Sequence, residues 1–426
     1  MNNQNKSQNE ATTNSEGSVE NNLHGKYIVL DIVFHANSLN YDQGVGNYNE
    51  LKKITKWDGK QYSLVSRYAL RYSILETAKN LGLWQLANDT SDFQRAGEGE
   101  RTVIQPSVKL LLSGEILNYP EFDLFGYLIT NTNPQNAREA PVKISHAVSL
   151  TPYTYDTHFC TNLGYAKRMM KIKGKMSSNL FTVEEHQTYY IYTVIIDVDK
   201  IGKNEVYLLK REKDKWEVEV EEDGTDEKVE YIIKIKKGDE TVKGDFKVKR
   251  SNNTIEITKF EFNNDFYLFN QTLVKRDEKV KERISQLIKA ILYLNRSIRA
   301  RNELLHPKLL IVGFYNGTPY QSYKDRIMLT DQYEEIFEEK KETTKEDNEI
   351  RVVRRIVKLR KPVFLLKYNE TKNNLVVKPI EEAENILIRN GDKENNELSQ
   401  FLTSNHNASS KLHIFKSPEV EVRFSN

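Results

Sequence analysis

Residues 145–185 read SHAVSLTPYTYDTHFCTNLGYAKRMMKIKGKMSSNLFTVEE, and the run just after them, residues 188–198, reads TYYIYTVIIDV. The second run is the richest in β-branched and aromatic residues and predicts the strongest strand of the chain. The first opens as a short alternating segment, passes through a polar aromatic loop and becomes a basic arm with adjacent methionines. Such a stretch, held between two strands, reads as an arm projecting from a sheet. Lys167, Arg168, Lys171, Lys173 and Lys175 have only Glu184 and Glu185 near them, and Tyr153, Tyr155, Phe159 and Tyr165 supply flat faces. Cations that follow phosphates and rings that accept unstacked bases suit a single-stranded nucleic acid. The plainer alternative is a solvated basic hairpin.

Outward from this stretch, residues 27–35 alternate: Ile28, Leu30, Ile32 and Phe34 fall on one face, and Val29, Asp31, Val33 and His35 on the other. That pattern predicts a half-buried strand with a partly polar open face. A loop rich in Asn, Gly and Asp follows, with a short hairpin at WDGK. Next comes a helix over 64–81, with Ser63 as its N-cap, a body including Val65, Tyr68, Ala69, Tyr72, Leu75 and Ala78, and Arg67 and Arg71 on one side. Residues 82–142 are heterogeneous and read as an insertion beside the core. A strand is expected over 143–150.

Residues 200–262 are dense in Lys and Glu, with short alternations and DG and GD turns, and read as exposed hairpins without a continuous core. Residues 277–301 carry Val280, Ile284, Leu287, Ile288, Ile291, Leu292 and Leu294 at helical spacing. His306-Pro307 stops that helix, and LLIVGFY at 309–315 is a buried strand. In the C-terminal region, 334–349 reads as a charged loop, while RVVRRIVKL and VFLLKY are strand candidates.

Without the insertions, strand, helix, strand, strand, helix, strand remain. This order predicts an α+β fold with a core like the RNA-recognition motif, a ferredoxin-like split βαβ, in which the arm sits at the turn between the two middle strands.

Composition sets the bounds. With 63 basic against 61 acidic residues in 426, the formal charge of +2 leaves any nucleic-acid partner to local patches. A hydrophobic fraction of 38% beside a charged fraction of 29% implies extensive exposed surface or long insertions. The single cysteine, Cys160, excludes an internal disulfide and a zinc site built on clustered cysteines, and a reducing cytoplasm fits. Residues 1–24 are polar and amide-rich and read as a disordered tail, not a signal. No apolar run is long enough to cross a bilayer, so no membrane partner is expected.

HANSLNYDQG after the first strand, SRYALRYSILE on the first helix, EFDLFGYL, APVKISHAVSLTPY, FTVEEHQTYYIYTVIIDV and LLHPKLLIVGFY occur in one order over residues 27–315. In that order they resemble the DevR family, the backbone subunit of the type I-B CRISPR Cascade complex within the RAMP superfamily. The resemblance implies a palm (25–81, 143–150, 188–199 and 263–320), a fingers insertion (82–142) and a thumb (151–187). The insertion 200–262 and the C-terminal region 321–426 carry little of it. It further implies copies of the chain stacked in a helical filament along CRISPR RNA, other Cascade subunits as partners, and target DNA reached by guide pairing. No cofactor is expected.

On this reading Asn37, Asn40, Lys52 and Lys53 donate to guide phosphates from the loop after the first strand. Arg67 and Arg71 fork onto phosphates, Lys167, Arg168, Lys171 and Lys173 line the arm, and Met169 and Met170 are wedges that unstack a base. Turn asparagines, solvated lysines and surface ion pairs, with Glu76 or Asp31 facing the arginines, are the plainer reading. The alternative function is a RAMP-type endoribonuclease acting on CRISPR or target RNA. Asp42 stands where related backbone proteins place a metal-dependent cleaving aspartate, and His35 would be its acid or base. A lone Asp beside glycines is more often a turn former, and His146, His158 and His186 are too dispersed for a metal site, so no catalytic residue and no metal ligand is assigned. A third class is a free-standing developmental or transcriptional regulator.

Overall fold

Alternation along the first strand, Lys26–Asn37 (β1), turns Ile28, Leu30, Ile32 and Phe34 to one side, and all four are buried. The computed structural model describes residues 25–425 except 45, 98, 100–101, 175–178, 213–215, 225–228, 238–239, 263–264, 318, 347–348, 369–374, 390–395 and 405–408. The tail expected at 1–24 and Lys175 of the arm lie outside the described residues. In chain order the framing elements are β2 (Lys53–Thr55), β3 (Gln61–Val65), α1 (Arg67–Asn80), β4 (Val142–Ile144), β5 (Ala147–Ser149), β6 (Asp156–Thr161), α2 (Leu163–Lys173), β7 (Leu180–Glu185), β8 (Gln187–Asp197), α3 (Arg276–Leu292), β9 (Pro307–Asn316), β10 (Val377–Pro379) and β11 (Lys411–Lys416).

The fold is mixed α+β. One sheet runs β10-β11-β9-β1-β8-β5-β3-β2, with β4 also paired to β8. β1 is antiparallel to both neighbours, so that Ile32 lies opposite Leu310 and Tyr192. α1 and α3 cover the face bearing Ile28 and Phe34, inserting Leu70, Ile74 and Ala78 from α1 and Ile284, Leu287, Ile288 and Ile291 from α3. Each large apolar side chain removed from water there contributes roughly 1.5–3 kcal/mol.

The opposite face is not open. Val33, Ile191, Leu309 and Ile311 pack against Tyr323, Ile327, Phe364, Leu366 and Val420. Asp31 is buried with them. Its Oδ1 accepts from Thr193 Oγ1 at 2.6 Å and Ser322 Oγ at 2.8 Å, and its Oδ2 accepts from the Tyr323 N–H at 2.6 Å. It is therefore no partner for Arg67 or Arg71. Burial pushes its carboxyl above the usual range against those three donors. The covering chain is the C-terminal region, whose aperiodic sequence concealed its role. The described part of the charge run at 334–349, expected as a loop, lies within the antiparallel ribbon Ile327–Glu346 and Glu349–Lys367, and the two later strand candidates form one strand.

Other boundaries also move. Ser66, not Ser63, caps α1, accepting from Ala69 N, while Ser63 is buried in β3. The buried stripe of α1 is Leu70, Ser73, Ile74, Thr77 and Ala78, which leaves Tyr68 and Tyr72 exposed. The strand expected over 143–150 is divided, because Ser145 Oγ takes the Thr193 N–H at 2.9 Å and interrupts the ladder between β4 and β5. α3 ends at Leu292, and the remainder of the expected helix forms a hairpin, Asn295–Ile298 with Arg301–Leu304.

The insertion 82–142 and the charged insertion 200–262 share a second core. Val108, Leu111, Ile116, Leu117 and Phe122 from the first meet Val206, Tyr231, Ile233 and Ile257 from the second, together with Phe269. Gln271 pins the two together, donating to Leu111 O at 2.7 Å while its Oε1 accepts from Asn204 Nδ2 at 2.8 Å. The exposed meander without a core is thus corrected. Each insertion alone shows half of an apolar face, and the halves meet only in three dimensions.

Candidate nucleic-acid interface

β6 and β7 pair antiparallel from Asp156 opposite Glu185 to Thr161 opposite Leu180, and α2 crosses their far end. Asn162 caps α2 by accepting from Tyr165 N, and Gly174, at φ 83°, closes it in a conformation that a side chain would strain. Ala166 is the buried residue of this helix. Tertiary burial therefore contributes little to an eleven-residue helix that is marginal by itself. Lys167, Arg168, Lys171 and Lys173 are exposed and make no ion pair among the described residues. The Arg168 guanidinium lies 5.9 Å from the Tyr165 ring centre. Of the expected wedges, Met169 is half-buried and Met170 is 51% exposed. Ile172, which is not among the expected contacts, is 73% exposed, and Phe159, Leu163 and Leu180 also face solvent. The seven-residue spacing of Leu163 and Met170 was the available signal, and Ile172, on another side of the helix, carried none.

At the base of the arm, Tyr48–Asn49 adds a short parallel strand to β7. Lys53 is not free for a phosphate: its Nζ is 2.7 Å from both oxygens of Glu184 and 4.8 Å from the Tyr153 ring centre. Asn40 is a structural residue of the loop, its Oδ1 accepting from Ser66 N at 2.9 Å, so it ties the loop to the start of α1. Asn37 Oδ1 accepts from Ser38 Oγ at 2.7 Å. Lys52 Nζ lies 3.2 Å from Asp42 in an exposed pair.

The structure thus gathers Asn37, Asn40, Lys52 and Lys53 around the foot of the arm, and places Arg67 and Arg71 one step along at the head of α1. The Arg67 guanidinium lies 5.0 Å from the ring centre of Tyr68 and donates to its hydroxyl at 3.0 Å. That of Arg71 lies 5.4 Å from the Phe125 ring centre, and burial lowers its pKa against the pull of Glu121. Both line a cavity of about 350 Å³ with Tyr68, Phe125, Lys143 and Ile144. Arg71 makes no hydrogen bond or ion pair among the described residues. A half-buried guanidinium without a carboxylate at ion-pair distance favours an incoming anion.

The hairpin at 295–304 brings in residues expected within a helix. Arg301 Nη2 donates to Asn37 O at 3.2 Å and Ser38 O at 2.7 Å, and Arg296 Nε donates to Leu39 O at 2.9 Å. Two arginines thereby hold the main chain of the loop after β1. Asp42 Oδ1 accepts from Gln43 N at 3.0 Å, and that bond, then Lys52, holds its carboxyl below the usual range. His35 stands edge-on to Tyr189, and burial lowers its pKa. Among the described residues, no three His, Cys, Asp or Glu side chains lie together as metal ligands. No helix among them is long and apolar enough to cross a membrane.

Among solved structures, the chain is similar to one titled "CRISPR RNA-guided surveillance complex, pre-nicking", with a TM-score of 0.37 and 10% identity over 69% of this chain and 80% of that one. A second, "CRISPR RNA-guided surveillance complex", gives 0.31 and 11% over 70% and 73%. A "Type IV-B CRISPR Complex" gives 0.25 and 14% over 40% and 73%. No curated protein matches the sequence. Residues 28–336 match the family described as CRISPR-associated negative auto-regulator DevR/Csa2, and since they make up most of the chain, the protein belongs to that family.

Proposed function

We propose that the protein is a non-catalytic backbone subunit of a type I CRISPR Cascade complex that oligomerises along CRISPR RNA and presents it for pairing with target DNA. The observation that carries this reading is the arm: a projecting helix with four cations free of ion pairs among the described residues, interleaved with exposed Tyr165, Met170 and Ile172. Such a surface binds a phosphodiester chain without reading its sequence and offers apolar tips to bases or to another copy. Family membership supports the CRISPR setting. The order β9-β1-β8-β5, with α1 and α3 on one face, supports a palm of the RNA-recognition type. Because the C-terminal region covers the other face, the RNA path on this reading runs along the arm, the loop after β1 and α1, and not across the sheet. The hydrogen bond from Gln43 N to Asp42, and its pairing with Lys52, support a turn role for that aspartate.

The test is purification from cells carrying a CRISPR array. Short CRISPR RNA should accompany the protein and remain intact with divalent metal, for wild type and Asp42→Ala alike. Protein free of RNA that also fails to bind added single strands would overturn the reading. Cleavage abolished in Asp42→Ala would replace it with the endoribonuclease.

A further inference from the structure

The hairpin between α3 and β9 turns at Arg299, whose φ of 53° lies in the left-handed region. Glycine or asparagine adopts that conformation at less cost, and strain of this kind persists where the surrounding structure or a function requires the side chain. Here the side chain is engaged. The Arg299 guanidinium lies 3.9 Å from the ring centre of Tyr41, and its Nη2 donates to Asn49 Oδ1 at 2.9 Å. Tyr41 belongs to the loop after β1, and Asn49 to the strand that pairs with β7 of the arm.

Charge separates Arg299 from its neighbour. Arg301 faces Glu185 at 3.4 Å and Glu303 at 3.6 Å, whereas Arg299 has no carboxylate at ion-pair distance among the described residues. Its Nε and Nη1 make no hydrogen bond there, and the residue is exposed. A guanidinium held against a ring and by one hydrogen bond loses little freedom on binding, and its remaining N–H groups can donate to phosphate oxygens.

We infer that Arg299, held on Tyr41, is a phosphate contact for single-stranded nucleic acid at the foot of the arm, separate from the cations of α2. This rests on the nucleic-acid reading above. Since the guanidinium occupies the tyrosine face, the site grips the backbone and is indifferent to the base.

The experiment is fluorescence anisotropy with two labelled single strands, oligo-uridine and an unstructured mixed sequence, over a salt series, alongside thermal melting. It uses wild type, Arg299→Ala, Arg299→Gly and Arg299→Lys. The Ala and Gly variants should bind both RNAs several-fold more weakly, with the slope of log K against log salt shallower by about 0.7. Arg299→Lys should keep the slope at reduced affinity. Arg299→Gly should melt above Arg299→Ala, because it relieves the positive φ, yet bind no better; a merely structural arginine would not separate the two readouts. An Arg299→Gly protein with the wild-type slope overturns this inference alone. Wild type that binds neither RNA overturns the nucleic-acid reading, and this inference with it.

Discussion

Lys53 Nζ lies 2.7 Å from each carboxylate oxygen of Glu184, in a pair whose side chains are 16% and 3% exposed. Glu184 also accepts from Leu51 N at 2.7 Å and Tyr48 OH at 3.1 Å, so one carboxylate fastens the loop after β1 and strand β2 to the foot of the arm. A buried ion pair adds modest net stability, but removing one partner strands the other. Lys53→Met should therefore cost about 3–5 kcal/mol in urea unfolding. Hydrogen exchange of amides in β7 and around Tyr48 should quicken most. Native protection in the variant would show that the arm is anchored by something else.

Asp123 is fully buried between Arg138, 2.6 Å away, and Arg283 of α3, and it also takes the Gly202 N–H at 2.9 Å. This carboxylate joins the insertion at 82–142, helix α3 and the entry to the charged insertion. Asp123→Asn keeps the volume and removes the charge, leaving two buried guanidinium groups without a counter-ion. The expected loss is about 3–5 kcal/mol. Thermal unfolding followed by hydrogen exchange at the amides of β1 and at those of Val206 and Phe269 should also lose its coincidence, because the two cores are no longer coupled. A variant as stable as wild type, melting in one step, would remove Asp123 from that role.

The strands at the centre of the sheet were readable because each carries its own evidence. In β1 the period-two pattern, and in β8 the run of β-branched and aromatic residues, is written into consecutive residues and needs no distant partner to be seen. α3 was readable for the same reason, but its end was not: Leu294 continues the apolar period, and it is buried although the helix has stopped at Leu292. What sequence could not supply was pairing at long range. Gln271 meets Leu111 across 160 residues, and Lys53 meets Glu184 across 131. Each looks like an ordinary polar residue until its partner is known. The cations of α2 were visible from local charge bias, whereas Arg299 was hidden within an apparent helix.

His35, His146, His186 and His306 all titrate below the ordinary histidine range, each chiefly through burial. For a histidine depressed in the fold, the unfolded chain binds the proton first as pH falls, so the stabilisation is full above about pH 6.5 and is lost through the lower native value. Stability should thus decline from about pH 6.5 downward. His186 sits between β7 and β8, with Ser63 Oγ 2.7 Å from its Nδ1 and Thr151 Oγ1 3.3 Å from its Nε2. His186→Gln should shrink the slope by up to about 1.4 kcal/mol per pH unit, the value for one proton. Urea midpoints from about pH 7.5 to about pH 5 measure this, and an unchanged slope would mean that His186 protonates freely in the fold.

The arm offers two chemistries on one exposed helix, and they can be separated because neither set of side chains supports the fold. Changing Lys167, Arg168, Lys171 and Lys173 to Gln, or Leu163, Met170 and Ile172 to Ser, removes no described ion pair, and Ala166 stays buried in both variants. Both sets should therefore stay within about 0.5 kcal/mol of wild type per surface site, apart from the small helix-propensity cost of serine. The charge variant should bind unrelated RNA sequences equally weakly, its salt slope falling by about 0.7 for each phosphate it no longer neutralises. The apolar variant should keep that slope, since its cations remain. What it should lack is the stacking of copies on RNA, because Leu163, Met170 and Ile172 are each exposed apolar side chains on the single chain. Light scattering of each variant with a long single strand separates the outcomes. Full-size assemblies from the apolar variant would show that copies meet elsewhere, and a charge variant weakened toward only one sequence would show that the arm reads bases.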